Sequence, residues 1–165
     1  MAARHSVSTV GDQQYAGVAV SSCNSAAGLL YLNHQKEITM SLQPMKIPGP
    51  DHPITIAPSS SRIVVKVGGQ VVADSHKALT LKEATYPPVY YIPRSDVDLT
   101  LVERTHHHSY CPYKGEASYY SIPAGGDRSE NAIWTYETPH AAVSEIKGYF
   151  AFYPDRVDTI EYLPA

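Results

Sequence analysis

The chain is poor in the aromatic residues that usually fill a core. It has 2 Phe and 1 Trp against 13 Tyr in 165 residues. Eleven of those tyrosines fall at or after Tyr86. Each brings a hydroxyl that needs a partner when buried, so they line a polar cavity or sit at strand edges and rims. Cysteine is scarce too. Cys23 and Cys111 stand far apart and no Cys-x-x-Cys pair exists, so neither a disulfide framework nor a thiolate zinc site is expected, and a reducing, cytoplasmic setting is the simplest assumption. No apolar run approaches the ~18–20 residues needed to cross a bilayer as a helix. Basic excess is missing as well. The net charge is −3 and the pI about 6.2, and from Lys46 onward 11 Lys and Arg face 14 Asp and Glu. That balance argues against a nucleic-acid partner. Glycine-rich phosphate loops, βαβ alternation and internal repeats are all absent from the pattern, which excludes the usual nucleotide-binding architectures.

What is present divides into three. Residues 1–45 are rich in Ser, Ala, Gly, Gln and Asn and lack the hydrophobic density to offset ordering entropy. They read as a poorly ordered leader with at most one short helix, and Met40 or Met45 is an alternative start. They match neither a signal peptide nor a transit peptide. Residues 46–61 carry Pro48, Pro50 and Pro53, each disfavouring helix in the residue before it, and read as an extended arm laid across the domain. Residues 62–165 read as the domain itself.

In that domain Ile63, Val65 and Val67 alternate with polar neighbours, and Gly68-Gly69 turns the chain into Gln70–Asp74 as a tight hairpin. Ala78–Ala84 reads as a third strand in which Leu79, Leu81 and Glu83 share a face. An inward carboxylate there needs a partner or a proton; the alternative is a frayed strand with Glu83 in solvent. Val89–Ile92 and Val97–Leu101 read as strands around a Pro93–Asp96 turn, and Glu116–Ile122 places Tyr119 and Tyr120 on opposite faces. Asn131–Tyr136 puts Trp134 and Tyr136 on one face. Pro139 opens one short helix over Ala141–Lys147, stopped by Gly148, and two strands close the chain around Pro154-Asp155-Arg156. About eight to ten short strands with regular turns point to a mainly β, antiparallel barrel or sandwich.

Chemistry concentrates in Tyr110-Cys111-Pro112-Tyr113-Lys114-Gly115. Lys114 would lower the Cys111 thiol pKa if the turn brings them together, and His107, His108 or His140 would serve as base. Cys111 is then a nucleophile, a pocket wall or plain core. His106-His107-His108 offers two ligands on one strand face and lacks two more for zinc, so no metal is expected and a solvated cluster is preferred. Lys114 and Gly115 suit an anion, with Arg94 and Arg156 as further contacts. Trp134 and Tyr136 form a wall or a stacking platform, and Asp155-Arg156 reads as a turn ion pair.

Four runs, Tyr86–Arg94, Cys111–Gly115, Asn131–Tyr136 and Ala151–Val157, resemble the domain of unknown function 427 family, which sometimes carries a nucleotidyltransferase-like label. The likeness spans about Arg62 to Glu161. It implies a small antiparallel β domain resembling Mss4-like barrels, an acid near Glu83 and a histidine near His107, and it supplies no established activity. The chain lacks the glycine-serine loop and paired aspartates of ordinary nucleotidyltransferases. The combined expectation is a β domain whose polar, Tyr-lined pocket takes a small anionic or aromatic ligand without a cofactor. Cys111, Lys114 and Glu83 are the candidate catalytic groups. Arg94, Tyr91, Tyr113, Trp134, Tyr136, Asp155 and Arg156 are the candidate ligand contacts. The alternative is a non-catalytic binding or protein-interaction module. Oligomeric state is left open.

Overall fold

Alternation of apolar and polar residues between turn-forming Gly and Pro drives this chain into short strands, and the computed structural model describes them over residues 44–164. The leader expected over 1–45 lies, up to residue 43, outside the described residues. The strands are β1 (Ile54–Pro58), β2 (Ser61–Val67), β3 (Gln70–Ser75), β4 (Leu79–Glu83), β5 (Val89–Tyr91), β6 (Glu103–Cys111), β7 (Gly115–Ser121), β8 (Ile133–Thr135), β9 (Phe150–Phe152) and β10 (Thr159–Pro164). They form three antiparallel sheets of order β1-β4-β5, β10-β2-β3 and β6-β7-β8-β9. No closed barrel results. Among the described residues no helix is long and apolar enough to cross a membrane.

The reason for three sheets is visible in β7, β8 and β9, which bury side chains on both faces. Tyr120, Ile133, Phe150 and Phe152 join one apolar cluster with Ile63, Val65 and Val67 of β2 and Val72 of β3. Ala117, Tyr119 and Ala151 join a second with Leu81 of β4 and Tyr91 of β5. Adjacent residues such as Tyr119 and Tyr120 therefore enter different cores, as the period of two requires. A sheet covered on both sides acts as a middle layer and has no need to close on itself.

Four local expectations are corrected. Ile54–Pro58, inside the stretch read as an arm, is a strand paired with β4 in register Ile54↔Glu83 to Pro58↔Leu79. Val97–Leu101 is not a strand: Leu99–Leu101 is a 3-10 turn, because the Asp98 carboxylate accepts from the Thr100 N–H at 3.0 Å and caps it. The helix expected over Ala141–Lys147 is a 3-10 segment, Ala141–Ile146, interrupted at Val143 (φ −132°), since so short a run favours tighter turns. Asp155 and Arg156 form no ion pair among the described residues; Arg156 instead donates to the Glu130 and Asn131 carbonyls at 2.9 and 3.2 Å. The Gly68-Gly69 turn is as expected, with positive φ of 59° and 76°.

β6 is the outer strand of its sheet, nine residues long and mostly exposed. Its register against β7 breaks between Arg104 and His108. That break places His106 and His107 opposite no regular ladder partner.

The loop after β7 is closed by a backbone contact with no room for a side chain. A Cβ on Gly125 would lie 1.9 Å from Ser129 Oγ and 2.8 Å from Val67 Cγ1. Ser129 cannot yield freely, because its hydroxyl donates to the Arg156 carbonyl at 2.6 Å. Gly125→Ala is expected to lower unfolding free energy by about 1–3 kcal/mol through overpacking, read by chemical denaturation. An unchanged midpoint would show that this loop shifts at no cost.

Candidate functional site

Glu83 ends β4 on the same face as Leu81 and is turned inward. An inward carboxylate is expensive unless hydrogen-bond donors meet it, and two do. The Lys114 ammonium donates to Oε2. The His52 Nε2–H donates to Oε1 at 2.9 Å, the tautomer that a carboxylate acceptor selects. Lys114 is only 8% exposed, so this is one of the most secluded charges in the domain.

Three different local devices deliver these groups. Glu83 is set by strand parity and by its pairing with Ile54. Lys114 sits in the tight turn between β6 and β7: its N–H donates to the Cys111 carbonyl at 3.2 Å and its carbonyl accepts from the His140 N–H at 3.0 Å. The turn ends at Gly115 with φ +101°, a left-handed value that glycine tolerates best. His52 closes the Gly49-Pro50-Asp51-His52 turn, bonded to Gly49 in both directions at 3.0 and 3.3 Å. Its ring stacks face to face on Tyr113, centroids 4.0 Å apart and planes 6° from parallel. The Lys46 N–H holds the same segment to the Pro112 carbonyl at 2.9 Å, and the Lys46 ammonium lies 5.8 Å from the Tyr113 ring centre.

Beneath the ion pair lies a layer of tyrosines. The Trp134 indole N–H donates to the Tyr91 hydroxyl at 3.3 Å, and the Trp134 ring packs on Tyr153 at 4.4 Å. Burial pushes the Tyr91 hydroxyl pKa well above its ordinary value, with the nearby Glu83 charge adding to the shift. Tyr136 is pushed up too, by burial first and then by the neighbouring Tyr91. Tyr153 is raised to about 12, by burial and then by its bond with Tyr119. These phenols stay neutral. For Glu83, desolvation works to raise the pKa, but the bonds from His52 and Lys114 outweigh it and hold the carboxyl below its usual range.

The structure therefore gathers Glu83, Lys114, Tyr113, Tyr91, Trp134 and Tyr136 at one end of the domain. Cys111 packs at the edge of the same apolar cluster as Tyr91 and Tyr136. Arg94 is elsewhere, on the opposite side of the middle sheet over Tyr120 and Phe150. Asp155 and Arg156 occupy the turn before β10, where Arg156 stacks on Tyr153 at 4.7 Å. Of the histidines weighed as bases, His107 packs edge-on against Tyr119 at 4.5 Å, His108 pairs with Glu116 at 3.1 Å, and His140 reaches the Tyr110 hydroxyl at 3.3 Å. His52 is the member that sequence reading missed. Its one signal was indirect: an inward Glu83 required cationic or hydrogen-donating partners, and His52 lies two residues from the start of β1.

The Glu83 network makes stability depend on pH with a definite sign. A carboxyl held below its unfolded value contributes fully above that value and loses the contribution as pH falls through the lowered one. Glu83→Ala is expected to cost about 3–5 kcal/mol near neutral pH, because it strands a buried ammonium. The gap between wild type and Glu83→Gln in denaturant unfolding should shrink as pH falls below the usual carboxyl value of 4.5. A gap independent of pH would mean the carboxylate charge is not what stabilises the site.

No curated protein matches the chain. The profile of one family, described as a domain of unknown function (DUF427), matches residues 55–162, from the second residue of β1 into β10. That stretch covers most of the described strands and includes Glu83, Cys111 and Lys114, while His52 lies just before it. The chain belongs to the DUF427 family.

Proposed function

We propose that this domain binds a small anionic or aromatic molecule at the rim formed by His52, Tyr113 and Lys114, and that the Glu83–His52 pair handles a proton there. One observation carries the reading: both oxygens of a single inward carboxylate are engaged, one by a buried ammonium and one by a half-buried imidazole. With Nε2–H committed to Glu83, the His52 Nδ1 lone pair remains as a base, oriented by its carboxylate in the manner of catalytic His–carboxylate pairs. Lys114 uses one of three N–H donors on Glu83 among the described residues, which leaves capacity for a ligand oxygen. Tyr113 supplies an aromatic face. In the enzymatic form of this reading Cys111 is the nucleophile. In the other form the same groups bind a ligand or a partner and catalyse nothing.

Two measurements test this. Benzoate, with benzamide as neutral control, is expected to perturb the backbone NMR signals of Tyr113, Lys114 and Glu83 saturably, with His52→Ala and Lys114→Met each weakening the effect. Absence of any perturbation near this rim retires the binding site. Iodoacetamide alkylation near pH 7, followed at the Cys111 peptide by mass spectrometry, separates the two forms. A nucleophilic Cys111 reacts faster than a free model thiol and slows in Lys114→Met. A rate no faster than the model thiol leaves only the non-catalytic module.

A further inference from the structure

On the other side of the middle sheet lies an open basin of about 430 Å³ that the site above does not use. Its wall carries Arg94, Arg104, Lys147 and Glu137, with Tyr120 and Thr135 beneath. Three cations against one carboxylate leave a net charge of +2 at its surface. Thr135 is 1% exposed, and its hydroxyl is the one buried side-chain polar atom among the described residues without a hydrogen-bond partner. A buried hydroxyl left unbonded costs free energy, and here it lies against a cationic cavity.

Two of the three cations, Arg94 and Lys147, are not neutralised by a carboxylate among the described residues. Arg94 donates to the Tyr120 hydroxyl at 3.2 Å and lies over the Tyr120 and Phe150 rings, 5.8 and 5.1 Å from their centres. It makes no ion pair with a carboxylate among the described residues, and neither does Lys147. Backbone bonding fixes the Lys147 position: Lys147 bridges to Tyr136, and the Gly148 N–H donates to the Tyr136 carbonyl at 2.9 Å. Arg104 is the exception, since both its terminal nitrogens donate to Glu137 at 3.0 Å and one also reaches the Ser118 hydroxyl at 3.1 Å. Having accepted from Arg94, the Tyr120 hydroxyl still has its own proton to donate.

We infer that this basin is a binding site for a phosphate monoester. A phosphoryl group near neutral pH carries about −1.5 to −2 charge and three acceptor oxygens, which matches the net +2 charge and the donors of Arg94, Lys147, Tyr120 and Thr135. Guanidinium forks suit phosphoryl oxygens in geometry as well as charge. The basin's volume falls in the range of small-molecule pockets, large enough for an organic group beyond the phosphate. Glu137 is the built-in competitor, since it occupies the Arg104 fork that an anion would otherwise take.

Titration of the full chain with glycerol 1-phosphate tests the site, with inorganic phosphate as the minimal probe and acetate as a monoanion control, followed by calorimetry and backbone NMR. Saturable binding is expected, strongest for the monoester, with signals moving at Arg94, Thr135 and Gly148. Arg94→Ala and the exposed Lys147→Ala should each weaken it about tenfold or more, and Glu137→Gln should tighten it. Affinity should fall as pH drops through the second phosphate ionisation near ~6. Thr135→Val separates a ligand contact from a mere packing position: affinity falls while thermal stability holds or rises, because an unbonded hydroxyl is replaced by a methyl of similar shape. Acetate binding as well as the monoester, binding indifferent to Arg94→Ala and Thr135→Val, or no saturation with either phosphate would each overturn the assignment. Because the His52 rim lies on the other face, signals moving at Tyr113 and Lys114 instead would place the anion there and likewise reject the basin.

Discussion

Burying the ammonium of Lys114 is the constraint around which one end of this domain is arranged. An isolated buried charge is far too costly to retain, so its place in the fold requires Glu83 to be brought within bonding distance from another sheet. That single requirement links the β1-β4-β5 sheet to the β6–β7 turn. It also recruits the preceding segment, because the second oxygen of Glu83 is satisfied by His52. A carboxylate with both oxygens occupied cannot rotate to suit one partner without losing the other. The pair therefore specifies geometry as much as it stabilises.

The two polar regions divide along the middle sheet. Because β7 and β8 send successive side chains to opposite cores, Tyr119 and Trp134 face the Glu83 side while Tyr120 and Thr135 belong with the arginines. The shortage of Phe in the sequence acquires a physical sense here. Tyr91 accepts from Trp134, and Tyr120 accepts from Arg94. In both places a phenyl ring would pack equally well and leave a donor without a partner.

Strand identity was legible where the period of two and a glycine turn coincide, as in β2 and β3. It was legible again in the Tyr119–Tyr120 split, which follows from parity alone. Parity also turned Glu83 inward. What stayed hidden depended on contacts distant in sequence. Ile54–Pro58 read as part of an arm because Pro48, Pro50 and Pro53 precede it, and only pairing with β4 makes it a strand. His52 has no local pattern, and its role arises from a register between β1 and β4 that nothing in either segment encodes. Leu99 and Leu101 alternate like a strand, yet an Asp98 cap one residue earlier wins. Barrel closure failed as an expectation for a related reason: alternation reveals that a face is buried, not that both are.

The uneven ladder of β6 has a further meaning for how copies of this protein meet. A nine-residue outer strand presents unsatisfied backbone groups to any neighbour, and such a rim invites end-to-end stitching into fibrils. Here the register against β7 is interrupted midway, beside three consecutive exposed imidazoles. A strand whose ladder is broken at its centre is a poorer template for edge-to-edge pairing than a regular one. The histidine run, which has no metal-binding complement around it among the described residues, coincides with the break in an otherwise regular border.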